Sequence, residues 1–394
     1  MAEAVVTRQG ARFVRATALA LFALVAGCTV VPKGPPKTVD APPVVTAPDV
    51  VTPSLPTDTE RNRVALLAPL TGPNAGVGTS IANAANMAVL DTGGARIRVT
   101  MYDTATGAAA AAQRALAEGN RLILGPLLAD DVRAVAPIAR AAKVPVISFS
   151  NDTGVAGSGT FVMGYTPVQS VERVVDYARS KGLSKFAGLV PTGLYGQRAS
   201  TAFIRAVEAG GGQVVSLQTF DRSGGSISAA ITRISQASAY EAILIADSGR
   251  TAIQAVPIIR AKGGASAKVL GTELWNTEGA LAASPALRGA WFASVSDGLY
   301  NQLASKYRVR FGKSPYRLAS LGYDAVLLVT RIAGDWRPGS AFPAGRLTDP
   351  GGFTGIDGAF RFGRDGIVER ALEVQQAGIA GTTVVSPAPR GFGN

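Results

Sequence analysis

The strongest constraint on this chain is a set of short, unbroken apolar runs. They fall at residues 64–70, 122–124, 144–149, 186–190, 214–217, 242–246 and 269–270. They do not alternate apolar with polar residues, as a half-exposed strand would. Continuous runs suit strands covered on both faces, the situation of a parallel sheet. Between them lie helical patterns. Val168, Val171, Val174, Val175 and Ala178 recur at helical spacing, and Gly182 can end that helix. Ala199, Ala202, Phe203, Ala206 and Val207 do the same before Gly210-Gly211-Gly212. Repeated strand–helix units predict an α/β fold with helices on both sheet faces. Their number predicts two doubly wound parallel-sheet lobes.

Composition then removes whole classes of chemistry. The chain has no histidine and one cysteine. A Ser-His-Asp triad, a histidine base and a histidine-ligated metal are therefore excluded. So are an internal disulfide and a cysteine zinc cluster. Ser-x-x-Lys and Gly-x-Ser-x-Gly are absent. Gly312-Lys313-Ser314 mimics the end of a P-loop, but Tyr307 occupies the first glycine position and Pro315 follows, so it reads as a surface turn. The expectation is a non-enzymatic protein with no catalytic residue, metal or cofactor.

The cysteine has a specific context. Arg8, Arg12 and Arg15 precede a run of apolar and small residues at 16–26, broken by Thr17, which ends in Val25-Ala26-Gly27-Cys28. The run is too short to span a bilayer and has the length of a signal-peptide core. The ending resembles the lipobox of bacterial lipoproteins. That resemblance implies a lipoprotein signal peptide at 1–27 and an acylated Cys28. Thr29 in place of Asp implies the outer membrane, facing the periplasm. Residues 28–60 then form a linker holding eight of the 23 prolines. As polyproline II, at ~3.1 Å per residue, it would reach on the order of 100 Å; a spacer with no reach requirement fits equally.

Ligands of open parallel sheets sit beyond the strand C-termini, near helix N-termini. That directs attention to the loops at 71–79, 125–131, 148–154, 191–197, 247–250 and 272–277. Here the residues resemble type 1 periplasmic binding proteins of the leucine-binding class. The likeness is carried by Leu67-Ala68-Pro69-Leu70-Thr71-Gly72-Pro73 with Gly78, by Leu122-Ile123-Leu124-Gly125-Pro126, and by Val144-Pro145-Val146-Ile147-Ser148. Tyr195-Gly196, Gly322-Tyr323-Asp324-Ala325 and residues 355–362 continue it to about residue 386. The resemblance implies two lobes joined by three crossovers with ligand between them. Lobe I is expected at 61–166 plus 298–349, lobe II at 167–297 plus 350–386, and a tail at 387–394.

It also implies a cleft built from Ser150, Asn151, Tyr195, Asp247, Glu273 and Trp275. An amino-acid carboxylate needs hydroxyl and backbone donors, and its ammonium needs an acid. The class carries a serine shortly after Gly125-Pro126, where this chain has Leu127-Leu128-Ala129-Asp130. Ser150 and Asn151 remain as donors, while an inward Asp152 would repel a ligand carboxylate. Glu273 lies close to the position of the ammonium-binding acid. It reads equally as a solvated loop carboxylate, Tyr195 equally as interlobe packing, and Trp275 and Trp291 first as buried packing.

A finer resemblance is to the LpoA-like lipoprotein activators of penicillin-binding proteins. Gly125-Pro126-Leu127, residues 148–152, Leu274-Trp275-Asn276, Gly289-Ala290-Trp291-Phe292, residues 369–374 and Ser386-Pro387-Ala388-Pro389 carry it. It implies a non-catalytic lipoprotein, held at the membrane by its lipid, that regulates peptidoglycan synthesis by contact with a penicillin-binding protein. Long members carry a helical-repeat domain where this chain has only the linker. The alternative is an ABC-transporter solute-binding protein that serves a permease and binds an amino acid or related small molecule. The net charge is +12, of which the leader supplies two units through Arg8, Arg12, Arg15 and Glu3. Export turns that charge toward anionic envelope partners and away from nucleic acid; dispersed solubility charge is the plainer reading. Arg205, Arg308, Arg310, Arg317 and Arg331 are expected on helix exteriors.

Overall fold

The computed structural model describes residues 60–277, 284–379 and 381–392. The expected signal peptide, Cys28 and residues 29–59 lie outside them. Five strands build the first sheet: β1 (Asn62–Ala68), β2 (Ile97–Asp103), β3 (Ile123–Leu124), β4 (Val146–Ser148) and β5 (Thr160–Val162). All pair in parallel, in the order β2-β1-β3-β4-β5. A second parallel set repeats the winding: β6 (Lys185–Pro191), β7 (Gln213–Phe220), β8 (Ala242–Ile245), β9 (Lys268–Gly271) and β10 (Trp291–Ser294), ordered β7-β6-β8-β9-β10.

Period-2 geometry explains why the apolar runs are continuous. Along β1, Val64, Leu66 and Ala68 face one core while Ala65 and Leu67 face another. Helices α1 (Ala75–Asp91), α2 (Ala108–Ala117) and α3 (Ala129–Ala141) wind this sheet, with α2 and α3 covering the Ala65 side. In the second sheet, α4 (Pro167–Ser180) and α5 (Leu194–Ala209) cover Phe186 and Val190, while α6 (Gly224–Ser235) and α7 (Gly249–Ala261) cover Ala187 and Leu189. Each fully buried Leu, Ile or Phe contributes about 1.5–3 kcal/mol.

The two lobes share one device at the strand-to-helix turn. A Cβ on Gly78 would stand 1.9 Å from the Pro69 carbonyl oxygen, and one on Gly196 would stand 1.7 Å from that of Pro191. Glycine there lets α1 and α5 start hard against β1 and β6, which fixes both helix N-termini at the strand ends.

After β10 the chain returns to the first lobe as α8 (Gly298–Phe311) and α9 (Ala319–Ile332). Leu303 and Tyr307 of α8 pack with Met87 of α1, and α9 lies along α1. A small antiparallel sheet follows: β11 (Phe353–Gly355), β12 (Gly358–Phe362) and β13 (Val368–Arg370). Then β14 (Glu373–Ala377) and β15 (Thr382–Ser386) extend the second sheet antiparallel beyond β10. The chain thus passes between lobes three times, at 163–166, 295–297 and 371–372.

The third passage corrects the expected boundary at 350. Phe353, Phe360, Phe362 and Val368 are buried in the same core as Val64 and Leu66, so 353–370 belongs with the first lobe. No helix among the described residues is long and apolar enough to cross a membrane.

Candidate functional site

The C-terminal ends of both sheets face a cavity of about 870 Å³. From the first lobe, the loop after β3 supplies Leu127 and Leu128, and the loop after β4 supplies Phe149 and Asn151. From the second, the loop after β9 supplies Glu273, Leu274 and Asn276. Tyr165 of the first crossover, Tyr300 of α8 and the α8–α9 loop at 314–318 close the remainder. Most of this wall is aliphatic or aromatic.

Glu273 is buried, and both of its oxygens are occupied. The Ser170 hydroxyl donates to Oε2, and the Tyr195 hydroxyl donates to Oε1 at 3.0 Å. Tyr195 also stands 3.0 Å from the Thr272 hydroxyl. Burial raises the Glu273 pKa above the usual carboxylate range, and the hydrogen bonds only partly offset it. An ammonium would have to displace one of these hydroxyls to gain the carboxylate.

The hydroxyls of the β4 loop take part in the loop's own turn, while Asn151 lines the cavity. Ser148 Oγ donates to the Pro126 carbonyl at 3.0 Å and accepts from the Ser150 N–H at 3.0 Å. Ser150 Oγ accepts from the Asp152 N–H at 3.1 Å. These hydroxyls hold the β4 loop in its turn.

Of the six expected cleft residues, Asn151 and Glu273 line the cavity, and Tyr195 stands behind Glu273 as its hydrogen-bond donor. Ser150 is buried in its turn. Asp247 is turned to Arg222, 2.7 Å away, and accepts from the Ser248 N–H. Trp275 is fully buried in the second-lobe core, where its indole N–H donates to the Asp247 carbonyl at 2.9 Å. It lies so close over Gly271 that a Cβ there would come within 2.3 Å of the indole. Asp247 and Trp275 thus shape the second lobe and do not line the cavity.

Asp152 does not point inward. It is buried and pairs with Arg133 at 2.5 Å and with Arg198 of α5, which joins the first lobe to the second. Burial opposes its charge, but the Gly154 N–H and the two arginines outweigh burial and lower its pKa.

Arg317 corrects another expectation. Far from a helix exterior, its side chain is 4% exposed and lines the cavity. Nη1 donates to Asp357 at 2.7 Å and Ser320 at 2.9 Å, and Nη2 to the Ser296 carbonyl at 3.3 Å. The guanidinium covers the Tyr300 ring at 4.0 Å, and Nε has no hydrogen-bond partner, although Asp297 lies 3.5 Å away. Burial would raise Asp357, but Arg317 and Arg370 hold it below the usual range.

Asp324 of α9 accepts from the Ile356 N–H at 2.6 Å and the Asp357 N–H at 3.2 Å. Its pKa is pushed up to about 7, by burial and by the neighbouring Asp357 charge. Tyr165 donates to Asp357, and Arg370 donates to the Met163 carbonyl at 2.6 Å. Tyr165, Ser296 and Arg370 belong to or border the three crossovers, so this network sits at the hinge. Its sequence signals were the motifs around Asp324 and Asp357, which by themselves did not disclose the arginines they meet.

The periplasmic binding protein family model matches residues 62–381. The chain belongs to the periplasmic binding protein family. Membership implies a periplasmic or envelope location. Solved structures of similar fold include a branched-chain amino acid ABC transporter periplasmic ligand-binding protein from Burkholderia xenovorans. It is 18% identical, with a TM-score of 0.70, covering 85% of this chain and 97% of that one. A solute-binding protein of an R. palustris ABC transporter, in complex with benzoate, is 19% identical with a TM-score of 0.64, covering 85% and 98%. A leucine-binding protein from Thermotoga maritima is 20% identical with a TM-score of 0.62, covering 83% and 98%. Among curated proteins, an uncharacterized protein of Rickettsia prowazekii is 30% identical over 139 residues, 35% of this chain. The match spans 37% of that relative's length. Two of these neighbours are by name components of ABC transporters, and at this identity the likeness shows the shared fold. None is an activator of penicillin-binding proteins.

Proposed function

We propose that this periplasmic binding protein is the receptor of an ABC-type transporter for a small, mostly apolar organic molecule with one polar end. The observation that carries the reading is the cavity wall. Leu127, Leu128 and Phe149 stand where an amino-acid carboxylate would need donors, and Glu273 is already capped by Ser170 and Tyr195. The ammonium of a free α-amino acid meets a carboxylate that is already capped, whereas apolar surface with the polar atoms of Arg317, Asn151 and Asn276 suits an apolar body with one anionic or polar end. The benzoate-bound R. palustris neighbour has a ligand of that character.

Thermal unfolding with a ligand panel tests this. A true ligand at 100 times its Kd adds about 2.7 kcal/mol of stability. Aromatic or branched aliphatic acids are expected to raise the midpoint more than leucine or phenylalanine. A panel in which only α-amino acids act, or in which nothing acts, sinks the reading.

The capped Glu273 and the leucines at 127 and 128 also favour a second reading, the lipid-anchored activator of a penicillin-binding protein at the outer membrane, with Cys28 acylated. It differs in what the protein touches. Affinity capture from solubilised envelope recovers a permease under the first reading and a penicillin-binding protein under the second.

A further inference from the structure

The N-terminal ends of the first sheet's strands, away from the cleft, carry charge that the cleft does not explain. The Asn62 N–H donates to the Arg96 carbonyl at 2.9 Å, and the Arg121 N–H to the Arg63 carbonyl at 3.0 Å, so three neighbouring segments bring their arginines side by side. Arg63 and Arg98 are direct register partners on β1 and β2. A hollow of about 360 Å³ opens here, lined by Arg61, Arg63 and Arg121 and by no carboxylate. A second hollow of about 400 Å³ adjoins it through Asn62 and Pro338, and adds Arg96 and Arg337. Of its two acids, Asp335 is taken by Arg346 at 3.0 Å, which leaves Glu60. Among the described residues, no carboxylate lies within ion-pair distance of Arg63, Arg96, Arg98, Arg121 or Arg337.

Like charges opposed on neighbouring strands work against folding. Arg63 donates to the Glu118 carbonyl at 2.8 Å and Arg61 to the Gly94 carbonyl at 3.5 Å, contacts that position the guanidinium groups without neutralising them, and solubility is served as well by charge spread apart. What a cluster offers and a spread does not is several guanidinium forks on one anion, the geometry that suits phosphate oxygens.

We infer that this arginine hollow binds a phosphate-bearing anion, supplied by the headgroup of an anionic phospholipid. The chain enters the fold at this point, through Glu60 and Arg61, immediately after the Pro-rich segment that follows the lipobox. The lipid source rests on the second reading, with Cys28 acylated: a linker leaving the fold beside this face keeps it in reach of the bilayer, and contact brings the arginines within the short range over which anionic lipids attract basic side chains. The site is independent of the cleft and of what the cleft binds.

The test uses the full chain in nanodiscs of phosphatidylcholine alone or with phosphatidylglycerol added. Arginine labelling by phenylglyoxal, read by mass spectrometry, reports on each residue. In the anionic discs at low salt, labelling of Arg96, Arg121 and Arg337 is expected to slow roughly threefold or more, and to recover in high salt. Inorganic pyrophosphate without discs is expected to protect the same residues. The double variant Arg63→Glu, Arg121→Glu is expected to abolish protection of Arg96 and Arg337 while the unfolding midpoint stays near that of the parent. Protection by pyrophosphate and not by anionic discs overturns the lipid source. Equal labelling under all conditions, or protection that survives the double reversal, overturns the site.

Discussion

The two ends of the first lobe hold arginines in opposite surroundings. At the cleft end, Arg317 is buried among Asp357, Ser320, the Ser296 carbonyl and Tyr300. At the base, Arg63 faces Arg98, with no carboxylate among the described residues paired to either. One set is neutralised in place and organises a hinge; the other is left unneutralised at a surface. The difference teaches that the net charge of +12 is not one property. At the crossovers between the lobes charge is balanced within the protein, and at the base of the first lobe it remains available to something outside.

The largest effect should come from the cleft end. Arg317→Ala leaves Asp357 buried without its main counter-charge, and removing one partner of such a pair costs about 3–5 kcal/mol. Denaturant unfolding measures it directly. A loss of under about 1 kcal/mol, the value of an exposed ion pair, would erase the distinction drawn between the two ends.

A second, smaller effect follows from Asp324. Its folded pKa of about 7 lies above the unfolded value, so the folded state holds the proton more tightly. That contribution is fully present below about pH 4 and is lost as pH rises through 7. Asp357 runs the other way: its lowered pKa stabilises above the normal carboxylate range and fails in acid. Asp324→Asn removes the first titration and leaves the second. Measured at pH 5 and pH 8, the stability difference between variant and parent is expected to move in the variant's favour by about 1 kcal/mol or more at the higher pH. No movement, or movement in the other direction, would mean that Arg370 neutralises Asp324 as fully as Arg317 neutralises Asp357.

What the sequence disclosed follows the same physical divide. The run at 64–70 identified β1, because a strand covered on both faces must be apolar at every position. β2 is an edge strand, mixes Thr100 and Arg98 among its apolar residues, and left no continuous run. The third lobe passage was misplaced because Phe360 and Phe362 announce a strand but not which core receives it. In the cleft, Leu127 and Leu128 were legible as missing donors, since absence of a hydroxyl is visible in the letters. The capping of Glu273 by Ser170 was not, because the two are 103 residues apart and meet only through the packing of α4 beside β9. Trp275 could be named as large and aromatic, but only its place over Gly271 shows that it fills the core.

The smallest effect lies at the base, and its sign matters more than its size. Arg98 is half-buried on β2, directly opposite Arg63. Threonine suits an edge strand and removes the repulsion without adding a new charge. Arg98→Thr should therefore raise stability by about 0.2–1 kcal/mol at low salt. The gain should shrink as salt screens the pair in the parent. Urea unfolding at two ionic strengths reads both quantities. A stabilised variant that also loses the protection by anionic discs would join the two halves of the comparison, since the same side chain would then oppose folding and serve binding. A destabilised variant would mean that Arg98 is held by contacts within the lobe, as Arg317 is, and the base would no longer differ in kind from the cleft.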